Sequence, residues 1–94
     1  VPVAQTDLNT LFEAARWAPS TYNEQEWRFL YAHRDSADWE LFFDALTDQN
    51  RIWCVNAGTL VCICGKNELT KTGKVNQVRS FDCGAAFQNM ALQA

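Results

Sequence analysis

Positive charge is scarce in this chain and it is scattered. Its 94 residues hold eight Lys and Arg against eleven Asp and Glu, a net charge of −3. No basic stretch is dense enough to follow a phosphate backbone or an anionic lipid surface, which sets aside nucleic acid and membrane as partners. Long apolar runs are missing too. The longest, "TLVCIC" from Thr59 to Cys64, is far short of the ~20 residues that cross a bilayer, and the residues ahead of the first helical pattern do not read as a signal peptide. Histidine occurs once, at His33, within "HRDS", which reads as an exposed turn. Neither a nucleophilic triad nor an acid–base carboxylate pair stands out, so no catalytic side chain is assigned.

The four cysteines do not show a metal pattern. Cys62 and Cys64 form a single CxC in an apolar strand, and Cys54 and Cys83 fall in helical stretches, whereas zinc sites use Cys pairs two to four residues apart with a second pair to match. Reduced cysteines serving as small core residues of a cytoplasmic protein are the expectation. Disulfides would require a close Cα approach that spacing alone does not reveal.

What the chain does have is apolar and aromatic bulk. A hydrophobic fraction of 48% with six Phe and four Trp suffices for one small domain, residues 1–94. A chain this short buries only about 60–65% of its unfolded surface, which leaves a thin margin of stability. The four tryptophans are expected in the core or at an interface rather than around a substrate.

Leu8, Leu11, Phe12, Ala15 and Ala18 recur at helical spacing, with Thr6 or Asp7 as cap, and Pro19 ends that helix. "WRFLYA" alternates large aromatics and predicts a strand. A second helix should carry Trp39, Phe42, Phe43 and Leu46 on one stripe, capped by Asp35 or Ser36. A third should run from Asn50 to Ala57 and stop at Gly58. "TLVCIC" then reads as a strand covered on both faces, Asn67 to Arg79 as a polar loop, and "CGAAFQNMALQA" as a helix started by Ser80 or Asp82. Two strands among four helices make an α+β protein. Two strands do not form an independent sheet, so helices around a small sheet are to be completed by a partner chain or by further sequence. The last helical pattern is still apolar at Ala94, with no capping glycine and no polar tail, and so the sequence reads as truncated.

The densest polar segment is "ARWAPSTYNEQEW", Ala15 to Trp27. Ser20, Thr21, Asn23 and Gln25 crowd donors and acceptors behind a proline. These residues suit a ligand-holding turn, with a well-capped turn that holds no ligand as the lesser alternative.

Together with "NRIWCVNAGTLVCIC" and "SFDCGAAFQNMALQA", this segment resembles the nitroreductase family of FMN-dependent oxidoreductases, over nearly the whole chain and in the family's order. The shared features are Ala-Pro-Ser followed by Asn-x-Gln-x-Trp, an Asn three residues before a Trp, and Asp-x-Gly-x-Ala followed by Gln-Asn. The resemblance implies a homodimer, or a domain-swapped oligomer, with FMN at the interface. Pro19, Ser20, Thr21 and Asn23 would reach the flavin held mainly by the partner, and Asn50 would face the flavin's pyrimidine edge. It also implies reduction of nitroaromatics or quinones by NAD(P)H, with the chemistry belonging to the flavin.

Three features depart from the family pattern. No Arg-x-Ser-x-Arg segment for the FMN phosphate precedes the first helix, the basic residues of a C-terminal half are absent, and Glu26 stands where a Pro before the Trp is common. The 94 residues are therefore expected to be impaired, colourless and inactive on their own. The alternative is a catalytically inactive relative acting as a dimeric interaction module or a weak flavin binder.

Overall fold

The computed structural model describes all of residues 1–94. In chain order the elements are α1 (Gln5–Arg16), a single 3-10 turn (Thr21–Asn23), β1 (Trp27–His33), α2 (Trp39–Asp44), α3 (Asp48–Cys54), β2 (Thr59–Gly65) and α4 (Arg79–Gln93). The two strands pair in one sheet. Arg34 N–H donates to Gly58 O at one end and Lys66 N–H to Glu26 O at the other, so the pairing is antiparallel. This is the expected α+β class.

The chain forms two compact units. One comprises Val1–Ala4 and Leu30–Cys62, the other Gln5–Phe29 and Ile63–Ala94. In the second unit α1 packs on α4. Leu8 and Ala15 of α1 and Ala86 and Met90 of α4 are buried at helical spacing, and the alanines let the two backbones come close. Asn89 Nδ2 donates to Ala14 O at 3.0 Å, satisfying a carbonyl in the last turn of α1. Trp17 N–H and Ala18 N–H bond back three residues to Ala14 and Ala15, so the helix tightens and ends ahead of Pro19 as expected. Phe12 stacks on Phe29 with ring centroids 5.1 Å apart.

In the first unit, Trp39 is buried and stacks on Phe43. Arg34 lies over the Trp39 ring and donates to the carbonyls of Val55 and Ala57 just past α3. Arg51 donates to Asp44 O at 2.5 Å and Phe43 O at 3.2 Å at the end of α2. Arginines thus supply the partners that the last helical carbonyls lack.

Several expectations change. None of the caps predicted for α2 and α4 is used: α2 follows Asp38 and α4 follows Val78, neither with a side-chain capping bond. α3 ends at Cys54, so Gly58 is not its stop. Gly58 is needed instead for close approach, because a Cβ there would run into the Val1 carbonyl and sit 3.2 Å from Val3 Cγ2. β2 is half-buried along its length with Cys62 exposed, and is not covered on both faces. His33 is the last residue of β1, half-buried with Nδ1 2.9 Å from Thr59 Oγ1, rather than an exposed turn residue. Asn67 to Arg79 contains a small turn closed by the Glu68–Val75 bridge. Trp27 and Trp39 are buried, whereas Trp17 and Trp53 are exposed. No helix is long and apolar enough to cross a membrane.

Candidate functional site

The polar turn after Pro19 is strained and held from behind. Ser20 is extended, with φ −139° and ψ 152°. Tyr22, Asn23 and Gln25 then take positive φ, 55°, 53° and 50°. The left-handed region costs an ordinary residue such as Tyr or Gln about 1–2 kcal/mol relative to the helical region, and Asn less. Strain of this kind persists only where surrounding bonds over-determine it, and it gathers at binding sites.

The bonds responsible come from the turn itself and from distant parts of the chain. Asn23 N–H donates to Ser20 O and Glu24 N–H to Thr21 O, and Gln25 N–H donates to Ser20 Oγ at 3.1 Å. Thr21 N–H donates to Asp82 Oδ2 at 2.9 Å, and its hydroxyl to Asp82 Oδ1 at 3.4 Å. Glu24 Oε1 accepts from Thr70 N–H at 2.6 Å and from the Thr70 hydroxyl at 2.5 Å. These bonds, with Lys66 3.9 Å away, hold the Glu24 carboxyl below the usual carboxylate range.

Beneath the turn lies a buried polar cluster. Trp27 Nε1–H donates to Asp82 O at 2.8 Å. Asn76 Nδ2 donates to Glu26 Oε2 at 2.8 Å, Asn76 Oδ1 accepts from Val78 N–H, and Arg79 Nη1 donates to Asn76 O at 2.6 Å. Glu26 and Asn76 are 0% exposed and Asp82 2%. Burial first, and Asp82 beside it, push the Glu26 carboxyl above its ordinary value against the opposing bond from Asn76. The Cys83 thiol is likewise raised by burial and by these two carboxyls.

The anticipated site residues separate into kinds. Pro19, Ser20, Thr21 and Asn23 lie together in the turn. Pro19 and Asn23 are exposed, Ser20 and Thr21 half-buried, and the Thr21 hydroxyl and N–H are both engaged by Asp82. Asn50 is exposed on α3, in the other compact unit. Sequence reasoning missed the supporting set of Glu24, Glu26, Asn76 and Asp82. Asp82 was visible as a possible helix start and as the Asp of the Asp-x-Gly-x-Ala motif, and no local pattern links it to Thr21, 61 positions away. No group of three or more His, Cys, Asp or Glu converges as metal ligands do.

The sequence model of the nitroreductase family matches residues 1–52, more than half of the chain. The chain belongs to the nitroreductase family. An Archaeoglobus fulgidus protein provisionally named NADH dehydrogenase/NAD(P)H nitroreductase is 30% identical over 92 residues, covering 98% of this chain and 50% of that one. The crystal structure of an oxidoreductase containing FMN is 41% identical, with a TM-score of 0.91, over 99% of this chain and 48% of that one. A Desulfovibrio desulfuricans protein provisionally named nitroreductase, solved in complex with FMN, is 26% identical with a TM-score of 0.76, over 100% of this chain and 52% of that one. This nitroreductase-family chain thus spans about half the length of the relatives it matches.

Proposed function

We propose that the turn from Pro19 to Gln25 is the part of an FMN site that meets the edge of the isoalloxazine ring, in a homodimeric or domain-swapped protein that passes electrons from NAD(P)H to nitroaromatics or quinones. The observation that carries this reading is the strained turn itself, held by Asp82 and Glu24. Bonds within the turn and from Asp82 and Thr70 hold its three left-handed residues in place, and a cofactor edge would give that strain a use. The donor set suits that edge. A flavin presents alternating carbonyl and N–H groups, and the exposed Asn23 amide can both donate and accept. Ser20 keeps a hydroxyl proton to donate, and Pro19 fixes the backbone ahead of it. On the family pattern the Asn50 amide, exposed on α3, supplies a further pair of groups.

FMN when bound supplies the electron chemistry, and the role of these residues is to bind and orient. The phosphate end is less well served. Arg16 pairs with Glu13 at 2.7 Å and lies over Trp17, while Arg28 Nη1 donates to the carbonyls of Gln25 and Trp27. Thiols at Cys54 and Cys83 suit a reducing, cytoplasmic compartment.

Replacing Asn23 or Asn50 by Ala is expected to leave flavin polar groups unpaired, weakening FMN binding by about 1–3 kcal/mol, five- to a hundredfold in Kd. Quenching of flavin fluorescence measures this, and an unchanged Kd in both variants would refute the reading.

A second reading, a dimeric interaction module without cofactor, is favoured by the exposed apolar side chains of α4, Phe81, Phe87 and Leu92. Both readings require a partner for that face, so sedimentation at micromolar concentration should find a dimer or larger species. A stable monomer would overturn the oligomer in either case. Binding of added FMN, read as quenching of its fluorescence, separates the two.

A further inference from the structure

Glu26 and Asp82 are two carboxyl groups almost without access to solvent, and no cation faces them. On α4, the Arg79 guanidinium is turned to Asn76 O, and the neighbouring Cys83 is a thiol whose ionisation is itself suppressed. From β2, Cys64 lies near Cys83. Just beyond β2, the Lys66 ammonium is turned to Thr70 Oγ1 at 2.8 Å and to Glu24. In the turn, Glu24 faces Thr70. Two buried carboxyls side by side with no cation cannot both stay ionised, so the pair retains a proton.

Hydrogen bonding decides which member holds it. Both Asp82 oxygens accept from Thr21, and Asp82 sits in the first turn of α4, where the helix end favours negative charge. On Glu26, Oε2 accepts from Asn76 while Oε1 accepts from no donor, and the side chain within hydrogen-bonding reach for a shared proton is Asp82. The proton belongs on Glu26 Oε1.

We propose that Glu26 and Asp82 form a proton-dependent latch, in which the proton held by Glu26 lets Asp82 keep Thr21 bound, and loss of that proton releases the strained turn from Thr21 to Gln25. A second negative charge beneath the turn repels Asp82 and draws water into the cluster, and the positive-φ residues then relax. The latch acts on the backbone of the turn, so it operates with or without flavin.

The sign follows from burial. The native chain holds the Glu26 proton at pH values where the unfolded chain, with a carboxyl near 4.5, has already lost it. The latch is closed at acid pH. Its contribution to stability declines as pH rises from about 4.5 through Glu26's higher native value, and levels off above it.

The test is a pH titration of the labelled 94-residue chain by NMR, following the Thr21 amide, the Trp27 indole N–H and the Glu26 side-chain carboxyl carbon. All three should move with one midpoint above the ordinary carboxylate range. Proteolytic cleavage between Tyr22 and Gln25 should quicken roughly tenfold across the same interval, relative to a peptide control. Glu26→Gln keeps the shape and the Asn76 bond without the titrating proton, and should flatten both the amide and the cleavage profiles. Glu26 titrating near 4.5, or the same transition persisting in Glu26→Gln, would overturn the latch. If that variant does not fold, the Glu26 carbon in the unaltered chain decides alone.

Discussion

Replacing Trp27 by Ala should destabilise the protein by about 3–5 kcal/mol, the range for deleting a large buried aromatic. Trp27 is buried at the start of β1, and its indole N–H donates to Asp82 O at 2.8 Å, fixing the strand to the first turn of α4. A domain of this size commonly has about 5–15 kcal/mol in total, so the loss approaches the whole margin at the lower end. Trp27→Phe separates the contributions. It retains most of the apolar volume and removes one buried hydrogen bond, so about 1–2 kcal/mol is expected. Urea unfolding followed by circular dichroism measures both, with a lower midpoint and an unchanged slope. A Trp27→Ala loss below that of Trp27→Phe would show that the contact with α4 does not hold this region together.

The same residue illustrates how far the sequence could be read. The aromatic alternation placed β1 correctly, the run of small and apolar residues placed α4, and Pro19 placed the end of α1. Those are local signals, set by backbone sterics and periodicity. What lies under the turn is not local. Glu26 was legible only as a missing proline, yet it is a fully buried carboxyl bonded to Asn76, 50 positions away. Asp82 looked like a helix cap, yet it serves Thr21 rather than its own helix. The positive φ of Asn23 was open to anticipation, because Asn tolerates that region. That of Tyr22 was not, since the bonds that hold the turn include those from Asp82 and Thr70, which are distant in sequence. β2, an unbroken apolar run, suggested burial on both faces, but the run encodes apolarity and not what covers it.

The fate of the arginines leads to the second large effect, expected in catalysis by the 94 residues alone. Electron transfer between nicotinamide and flavin requires the two rings to be held in register, and small displacements can cost about a hundredfold. An FMN phosphate usually anchors the cofactor through charge-assisted bonds, each worth about 1.5–3 kcal/mol. Here Arg16 is paired with Glu13, Arg28 bonds backbone carbonyls beside the turn, and Arg34 and Arg51 close the ends of α3 and α2. Diverting any of these to a phosphate would forfeit a bond that the fold uses. Losing two or three phosphate contacts amounts to roughly 3–9 kcal/mol, enough to turn a nanomolar cofactor site into one that washes out during purification. The 94-residue chain should therefore emerge colourless. With added FMN, NAD(P)H and a nitroaromatic or quinone, its oxidation of NAD(P)H should not exceed that of free FMN. Turnover well above the free-flavin rate, abolished by Asn23→Ala, would show instead that these residues hold the cofactor in working register and that the phosphate needs no arginine from this chain.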